Sequence, residues 1–414
     1  MKKSKLAAAI ALLSCYPGAA FSDTVFEEIS VVAQKREQSV QEVGIAITAL
    51  TGDQLEALGF DNAQQVTAMA PGVQTVQPNG EANYSVGIRG VTNSDFTTNV
   101  ESPVALYVDE VYISQMSGAG FSLFDLERVE ILRGPQGTLF GRIATGGLVH
   151  FITRKPTFYQ EGYAKITLGD YNQRKFEGAY SNELTESLAA RLSVNINKAD
   201  GYIDNRYTGD KLNNANDKTV RLQLLYNPAD NVEALFNFRY SDQDIDTGFF
   251  ENVSSIRAGE LTPDEMNPVL GYIDNDGDVY AGDYDDPGFN ELETNGATAT
   301  IKWTISDDVK LVSITDISNV ERTYIEDTDA SPVPLFNFFL TTDAKQISQE
   351  LRLEGSVGEL QWVVGGYYLD LDINDSNGAI SEPFIGGGGT TVEGSEGGLY
   401  SPYISTLTSQ SLFG

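Results

Sequence analysis

The chain has 414 residues, with 59 Asp and Glu against 27 Lys and Arg and a formal net charge of −32. So acidic a surface lacks the cations that neutralise phosphates, which excludes a nucleic-acid partner. A single His and a single Cys exclude a Cys/His metal centre and an intrachain disulfide. Hydrophobic residues make up 41% and the mean hydropathy is −0.22, values that fit neither a disordered chain nor a multi-pass helical membrane protein.

At the N-terminus, Lys2, Lys3 and Lys5 precede an apolar run at residues 6–13, and small residues stand at Ala20 and Ser22 ahead of Asp23. This is the pattern of a secretory signal peptide covering residues 1–22, too short for a helix that crosses ~30 Å of hydrocarbon. Its removal takes away Cys15 and leaves a cysteine-free exported chain.

Residues 24–155 mix strand-like runs with short helical signals, and the pattern changes near Pro156. Beyond it, period-two alternation recurs. Leu188, Ala190, Leu192, Val194 and Ile196 form one face and Arg191, Ser193, Asn195 and Asn197 the other. The same alternation returns at Val220, Leu222, Leu224 and Tyr226, at Phe236, Phe238 and Tyr240, and at Ala297, Ala299, Ile301 and Trp303. A soluble sandwich alternates in the same way, but connection lengths separate the two. Tight turns at 181–186, 227–231, 306–308 and 355–358 alternate with long polar connections at 199–218, 241–296, 318–344 and 371–409. Long connections on one side and tight turns on the other predict a transmembrane antiparallel β-barrel. Nine strands and the start of a tenth at residues 411–414 are expected, an open sheet that implies an N-terminal piece of a barrel.

The segment before the barrel carries the most specific motifs: VGIRGV at 86–91, VALYVDEVY at 104–112, FDLERVEILRGPQGTLFGRIATGG at 124–147 and ITRKP at 152–156. In these motifs residues 27–156 resemble the plug domain of TonB-dependent outer-membrane receptors. The resemblance implies a mainly β chain with a small α+β plug: an N-terminal segment at 23–37, a plug at 38–156, and about ten strands of a twenty-two-stranded barrel at 157–414. It also implies location in the outer membrane of a Gram-negative bacterium, surrounded by outer-membrane lipid.

Function follows from the same resemblance. The chain is expected to be no enzyme, without cofactor, catalytic group or metal site, and to serve energised uptake of a scarce small molecule, a ferric siderophore or other iron complex. The alternatives are a receptor for a non-iron ligand such as cobalamin or a glycan, and a passive porin-like channel. Glu28, Ile29, Ser30, Val31, Val32 and Ala33 resemble the TonB box, a β-prone segment able to add to the edge of a partner's sheet; TonB, with its inner-membrane energising complex, is the implied partner. The same residues also read as a first plug strand. Arg89 and Arg133 match plug arginines that pair with barrel glutamates in later strands. Tyr84, Asn93, Phe96, Tyr112 and Met116 are the candidate ligand contacts at the plug apices.

Local features complete the reading. Glu110 stands where the family's pattern has Gly, Ile143 where it has a small polar residue, and His150 near its usual Asn; His150 is expected to be structural. Glu127, Arg128 and Glu130 are expected to pair among themselves. Between Asp242 and Glu293 lie fifteen acidic residues and one basic one, Arg257, and Asp274, Asp276 and Asp278 have EF-hand-like spacing without the Gly or the helices.

Overall fold

The structure, a computed structural model, describes residues 30–32, 35, 36, 38–41, 43–60, 62–67, 69–76, 85–95, 101–115, 123–140, 144–248, 250–252, 254–257, 260–263, 271–274, 276–380 and 398–414. The expected signal peptide, Glu28, Ile29, Ala33, Tyr84, Phe96, Met116 and Ile143 lie outside the described residues.

The N-terminal unit contains β1 (Ser30–Val31), β2 (Gln38–Ser39), β3 (Ala46–Thr51), β4 (Val73–Val76), β5 (Ser85–Ile88), β6 (Val104–Val108), β7 (Val111–Ile113), β8 (Leu126–Arg133) and β9 (Gly147–Thr153). Five of these form one mixed sheet in the order β3-β8-β9-β6-β7, and β1-β2 and β4-β5 are separate pairs. After β3, Thr51 and Gln54 form a reciprocal capping box that starts the helix Gly52–Ala57, with Asp53 in its first turn. Leu55, Val66, Val86, Ile88, Val129, Ile131 and Phe151 fill the core. The sheet is tight enough to require Gly147: at φ 145° it sits where a Cβ would fall 2.2 Å from the Leu132 carbonyl oxygen.

The second unit is one ten-stranded antiparallel sheet. Its members are β10 (Glu161–Leu168), β11 (Arg174–Thr185), β12 (Leu188–Ala199), β15 (Ala215–Ala229), β16 (Val232–Ile245), β20 (Phe289–Ser306), β21 (Val309–Asp327), β22 (Asn337–Val357), β23 (Leu360–Ile380) and β24 (Gly398–Phe413). The intervening β13 (Ile203–Asn205), β14 (Lys211–Leu212), β17 (Ser254–Arg257), β18 (Glu260–Pro263) and β19 (Ala281–Gly282) are short loop strands.

The faces of this sheet are inverted relative to a soluble sandwich. Leu192, Ile196, Leu222, Phe238, Ile301 and Trp303 are exposed on the outside, whereas Arg191, Ser193, Asn195, Gln223 and Asn237 are buried on the inside against the plug. Apolar-out and polar-in is the pattern of a membrane barrel wall. No helix among the described residues is long and apolar enough to cross a membrane, which says nothing against crossing by strands. The plug seals onto the wall through an apolar cluster in which Val31, Tyr107, Leu132, Phe140 and Leu148 meet Leu369 of β23.

Two expectations about strand length are corrected. The connection placed at 371–409 is shorter, because β23 continues to Ile380 and the tenth strand starts at Gly398; likewise β21 and β22 continue to Asp327 and from Asn337, well into the connection placed at 318–344. Beyond Ile373 both faces are polar, as at Asn374, Asp375, Ser376 and Asn377. Hydropathy alternation stops there while the backbone ladder goes on.

Candidate functional site

The site is the contact between plug and wall, and it begins at the N-terminal segment. Val31 is fully buried and pairs through β1 with Gln38, and the Val32 N–H donates to Glu130 Oε1 at 3.0 Å. Three residues on, Lys35 is 1% exposed and its ammonium lies 2.9 Å from Glu350 Oε2 on β22 and 4.7 Å from the Phe140 ring centroid. A buried ammonium needs both an anionic partner and a polarisable wall, and this one has each.

Glu350 is shared. Arg352, also on β22, reaches Glu350 Oε1 at 2.6 Å, Glu110 Oε2 at 2.7 Å and Glu354 Oε1 at 2.8 Å. Glu110 is the second turn residue of the β6–β7 hairpin, where Asp109 and Glu110 have φ of 49° and 69°. Such a two-residue turn favours Gly, so Glu there is strained. Its carboxylate bridges to the wall and its N–H donates to His150 Nε2 at 2.9 Å, so the surroundings impose the conformation. Burial alone pushes the Glu110 carboxyl up, but Arg352 and Lys35 more than reverse this and hold it down at about 2. Burial pushes the His150 imidazole down to about 3, Glu110 opposing and Lys35 and Arg128 adding to it, so His150 is neutral. With Nε2 accepting, the ring proton is on Nδ1, 3.9 Å from Glu130 Oε2.

A second anchor lies on the opposite flank. Asp125, at φ 52° immediately before β8, accepts from Arg191 Nε at 2.8 Å, from Arg221 Nη2 at 3.1 Å and from the Ser193 hydroxyl. Burial raises the Asp125 carboxyl, and the Arg191 hydrogen bonds with the Arg221 charge bring it below its ordinary value. Beside it Asp109 Oδ2 accepts from Thr153 Oγ1 at 2.7 Å and from Asn237 Nδ2 at 3.2 Å, and Gln223 donates to Thr153 Oγ1 at 2.9 Å.

Of the residues singled out from sequence, Ser30, Val31 and Val32 are in this docked segment. Arg89 is exposed with φ 52°, and Arg133 Nη1 donates to the Pro71 carbonyl at 3.2 Å; among the described residues neither guanidinium meets a carboxylate. Tyr112 is buried and its carbonyl accepts from Gln346 Nε2 at 2.8 Å, while Asn93 is half-buried and its Oδ1 accepts from the Asp95 N–H. Arg128 pairs with Glu127 and Glu130, and His150 is embedded in β9. Asp274, Asp276 and Asp283 converge on Arg206 of the neighbouring loop. Lys35, Asp125, Glu350 and Arg352 went unnoticed; the available signal was cations on the polar face of wall strands, an arrangement costly in a lumen unless carboxylates meet them.

A compact sheet pinned by buried ion pairs to the inner face of an apolar-out strand wall defines a plugged outer-membrane barrel protein. Residues 39–148 match the TonB-dependent Receptor Plug Domain family. The chain is 27% identical over 208 residues to the vitamin B12 transporter of Photobacterium profundum, covering 49% of this chain and 33% of that protein. It is 24% identical over 180 residues to the ferrioxamine receptor of Yersinia enterocolitica, covering 42% and 24%. In fold it is similar to the ferric yersiniabactin uptake receptor of Yersinia pestis, with a TM-score of 0.67, 20% identity, and coverage of 89% of this chain and 52% of that one. It is likewise similar to the ferripyoverdine receptor of Pseudomonas aeruginosa, with a TM-score of 0.68, 15% identity, and coverage of 93% and 50%. The family match is thus to the plug, residues 39–148, and the ten-stranded sheet that follows shares the fold of the receptor barrels it is similar to. The chain's matches span a third or less of these two curated relatives.

Proposed function

We propose that the protein is an energised outer-membrane receptor that takes up a scarce small molecule, and that residues 28–33 are the segment TonB engages. The observation that carries this reading is the docked N-terminal segment: Val31 is buried and Val32 and Lys35 are tied to Glu130 and Glu350, so a pull from the periplasm acts directly on the plug. A short strand held by one two-residue pair can exchange that pairing for a partner's sheet edge. A passive channel has no use for a plug pinned across its lumen. The relatives' names offer ferrioxamine, yersiniabactin and pyoverdine, which favours a ferric siderophore or other iron complex as ligand; vitamin B12 represents the second, non-iron class.

The test is uptake of radiolabelled ferrioxamine B and of vitamin B12 by cells carrying the full-length protein, with and without residues 28–33. Saturable uptake of either that stops on deletion and on de-energising the inner membrane is expected. Uptake indifferent to both treatments would sink the proposal in favour of a passive channel.

A further inference from the structure

Plug docking leaves unused a second polar arrangement on the inner face of the wall. At the ends of β11, β12, β15 and β16 that carry the longer connections, a cavity of about 380 Å³ is lined by Asn195, Asn197, Gln173, Asp217 and Gln243, with Asn62 contributed by the plug. This volume is within the ~300–1,000 Å³ range of small-molecule pockets. Its amides are largely fixed: Gln173 Nε2 donates to Asn197 Oδ1 at 3.2 Å, Asn197 Nδ2 to Asp217 Oδ2 at 3.4 Å and Gln243 Nε2 to Asp217 Oδ1 at 2.6 Å.

Asn195 breaks this pattern. It is 1% exposed and lines the cavity, yet among the described residues neither its Oδ1 nor its Nδ2 has a hydrogen-bond partner. A buried amide left unpaired on both sides is unfavourable, and a ligand that pairs with both atoms relieves it. A planar amide presents a donor beside an acceptor, which matches two adjacent hydroxyls, each able to give and to take a proton. The remaining lining has the same preference. Asp170, Asp200 and Asp217 outnumber Lys175, which disfavours an anionic chelate and supplies further acceptors for hydroxyl groups. Tyr171 and Tyr202 border the cavity half-exposed, with ring centroids 6.1 Å apart, and offer π-faces for the C–H face of a sugar ring.

We propose that this cavity is a binding subsite for a neutral polyhydroxylated ligand, a short saccharide, with Asn195 pairing to adjacent hydroxyls and Tyr202 packing on the ring. The assignment rests on the uptake-receptor reading and, from the cavity lining rather than the relatives' names, sets its second, non-iron ligand class above the iron complexes those names favour.

The experiment measures saturation-transfer NMR of maltotriose, cellotriose and xylotriose against the detergent-solubilised full-length receptor, Asn195→Leu and Tyr202→Ala. Tyr202 is a rim residue whose truncation leaves the core intact. At least one trisaccharide is expected to bind the wild type, and each substitution is expected to weaken it roughly ten-fold, the loss that follows from unmaking a buried polar or stacking contact. Absence of binding by all three sugars, or binding that survives either substitution undiminished, overturns the assignment. Uptake of ferrioxamine B that requires residues 28–33, with no sugar bound, overturns the subsite and leaves the receptor reading in place. Sugar binding with transport indifferent to that deletion does the reverse.

Discussion

The Lys35–Glu350 contact predicts an asymmetry between its two partners. Replacing Lys35 by Met removes the ammonium, but Glu350 keeps Arg352 at 2.6 Å. The loss is then that of one charge-assisted contact, about 1–2 kcal/mol, a roughly five- to thirty-fold change in the docked-to-released ratio of the N-terminal segment. Replacing Glu350 by Gln instead leaves the ammonium of Lys35, 1% exposed, without an anion in contact. That situation costs about 3–5 kcal/mol, more than a hundred-fold. In the double variant neither buried charge is stranded, so it should fall near Lys35→Met alone. The assay is a nitroxide on Ser30→Cys in the full-length protein, read as the mobile fraction of its spectrum; Ser30 is exposed, so the label does not itself undock the strand. Equal effects of the two single substitutions, or strict additivity in the double, would refute the idea that this pair holds the segment.

His150 gives a pH prediction. Its folded value near 3 is below its ordinary 6.5, so the unfolded state binds the extra proton and stability falls as pH drops through 6.5 toward 3. Between pH 6.5 and 5.5, above both the ordinary 4.5 of Glu110 and its folded value of about 2, the loss is about 1 kcal/mol, rising toward ~1.4 kcal/mol per unit at lower pH. Glu130, whose carboxyl burial raises, works in the opposite direction, so the quantity to measure by urea unfolding of the plug is the difference between wild type and His150→Gln; parallel profiles would contradict the assignment. Gly147→Ala is expected to prevent β9 from pairing with β8, because the added methyl meets the Leu132 carbonyl at 2.2 Å, and loss of plug protection in hydrogen exchange is the readout; native protection would show that the strand can shift.

What the sequence made legible was the part governed by short-range periodicity. Leu192, Ile196, Val220 and Leu222 had to share a face, and that face proved to be the outer one because Arg191, Ser193 and Arg221 opposite them are buried on the plug. Where both faces turn polar, as at Asn374 to Asn377, periodicity carries no signal and only the ladder to β22 and β24 reveals the strand. The plug–wall contacts were illegible for a different reason. Lys35 and Glu350 are 315 positions apart, and nothing local distinguishes Lys35 from a solvated cation beside Arg36. Glu110 did leave a trace as a residue unsuited to its turn, and the misfit marks a contact with the wall.

The order in which the plug comes apart follows from its topology. β3 is an edge strand, paired only with β8 through six residue pairs from Ala46↔Arg133 to Thr51↔Arg128. Tension applied ahead of Ser30 is transmitted past the β1–β2 pair to this edge, which can open one rung at a time. β8 cannot follow easily, since it is also paired with β9 and Asp125, adjoining its first residue, is held by Arg191 and Arg221. Uptake under this scheme needs the β3 edge to detach while the β8-β9-β6-β7 sheet stays in place. Leu50 and Val129 face each other across β3 and β8, at the ~4.5–5.5 Å Cα separation of antiparallel pairs that a disulfide spans. A Leu50→Cys/Val129→Cys bridge should therefore stop transport until reduced. The matching Leu106→Cys/Ile113→Cys bridge within the β6–β7 hairpin should leave it running. Transport at the wild-type rate through a receptor oxidised at 50 and 129 would mean that the path opens without peeling this edge, with the plug moving as one body against its Asp125 anchor.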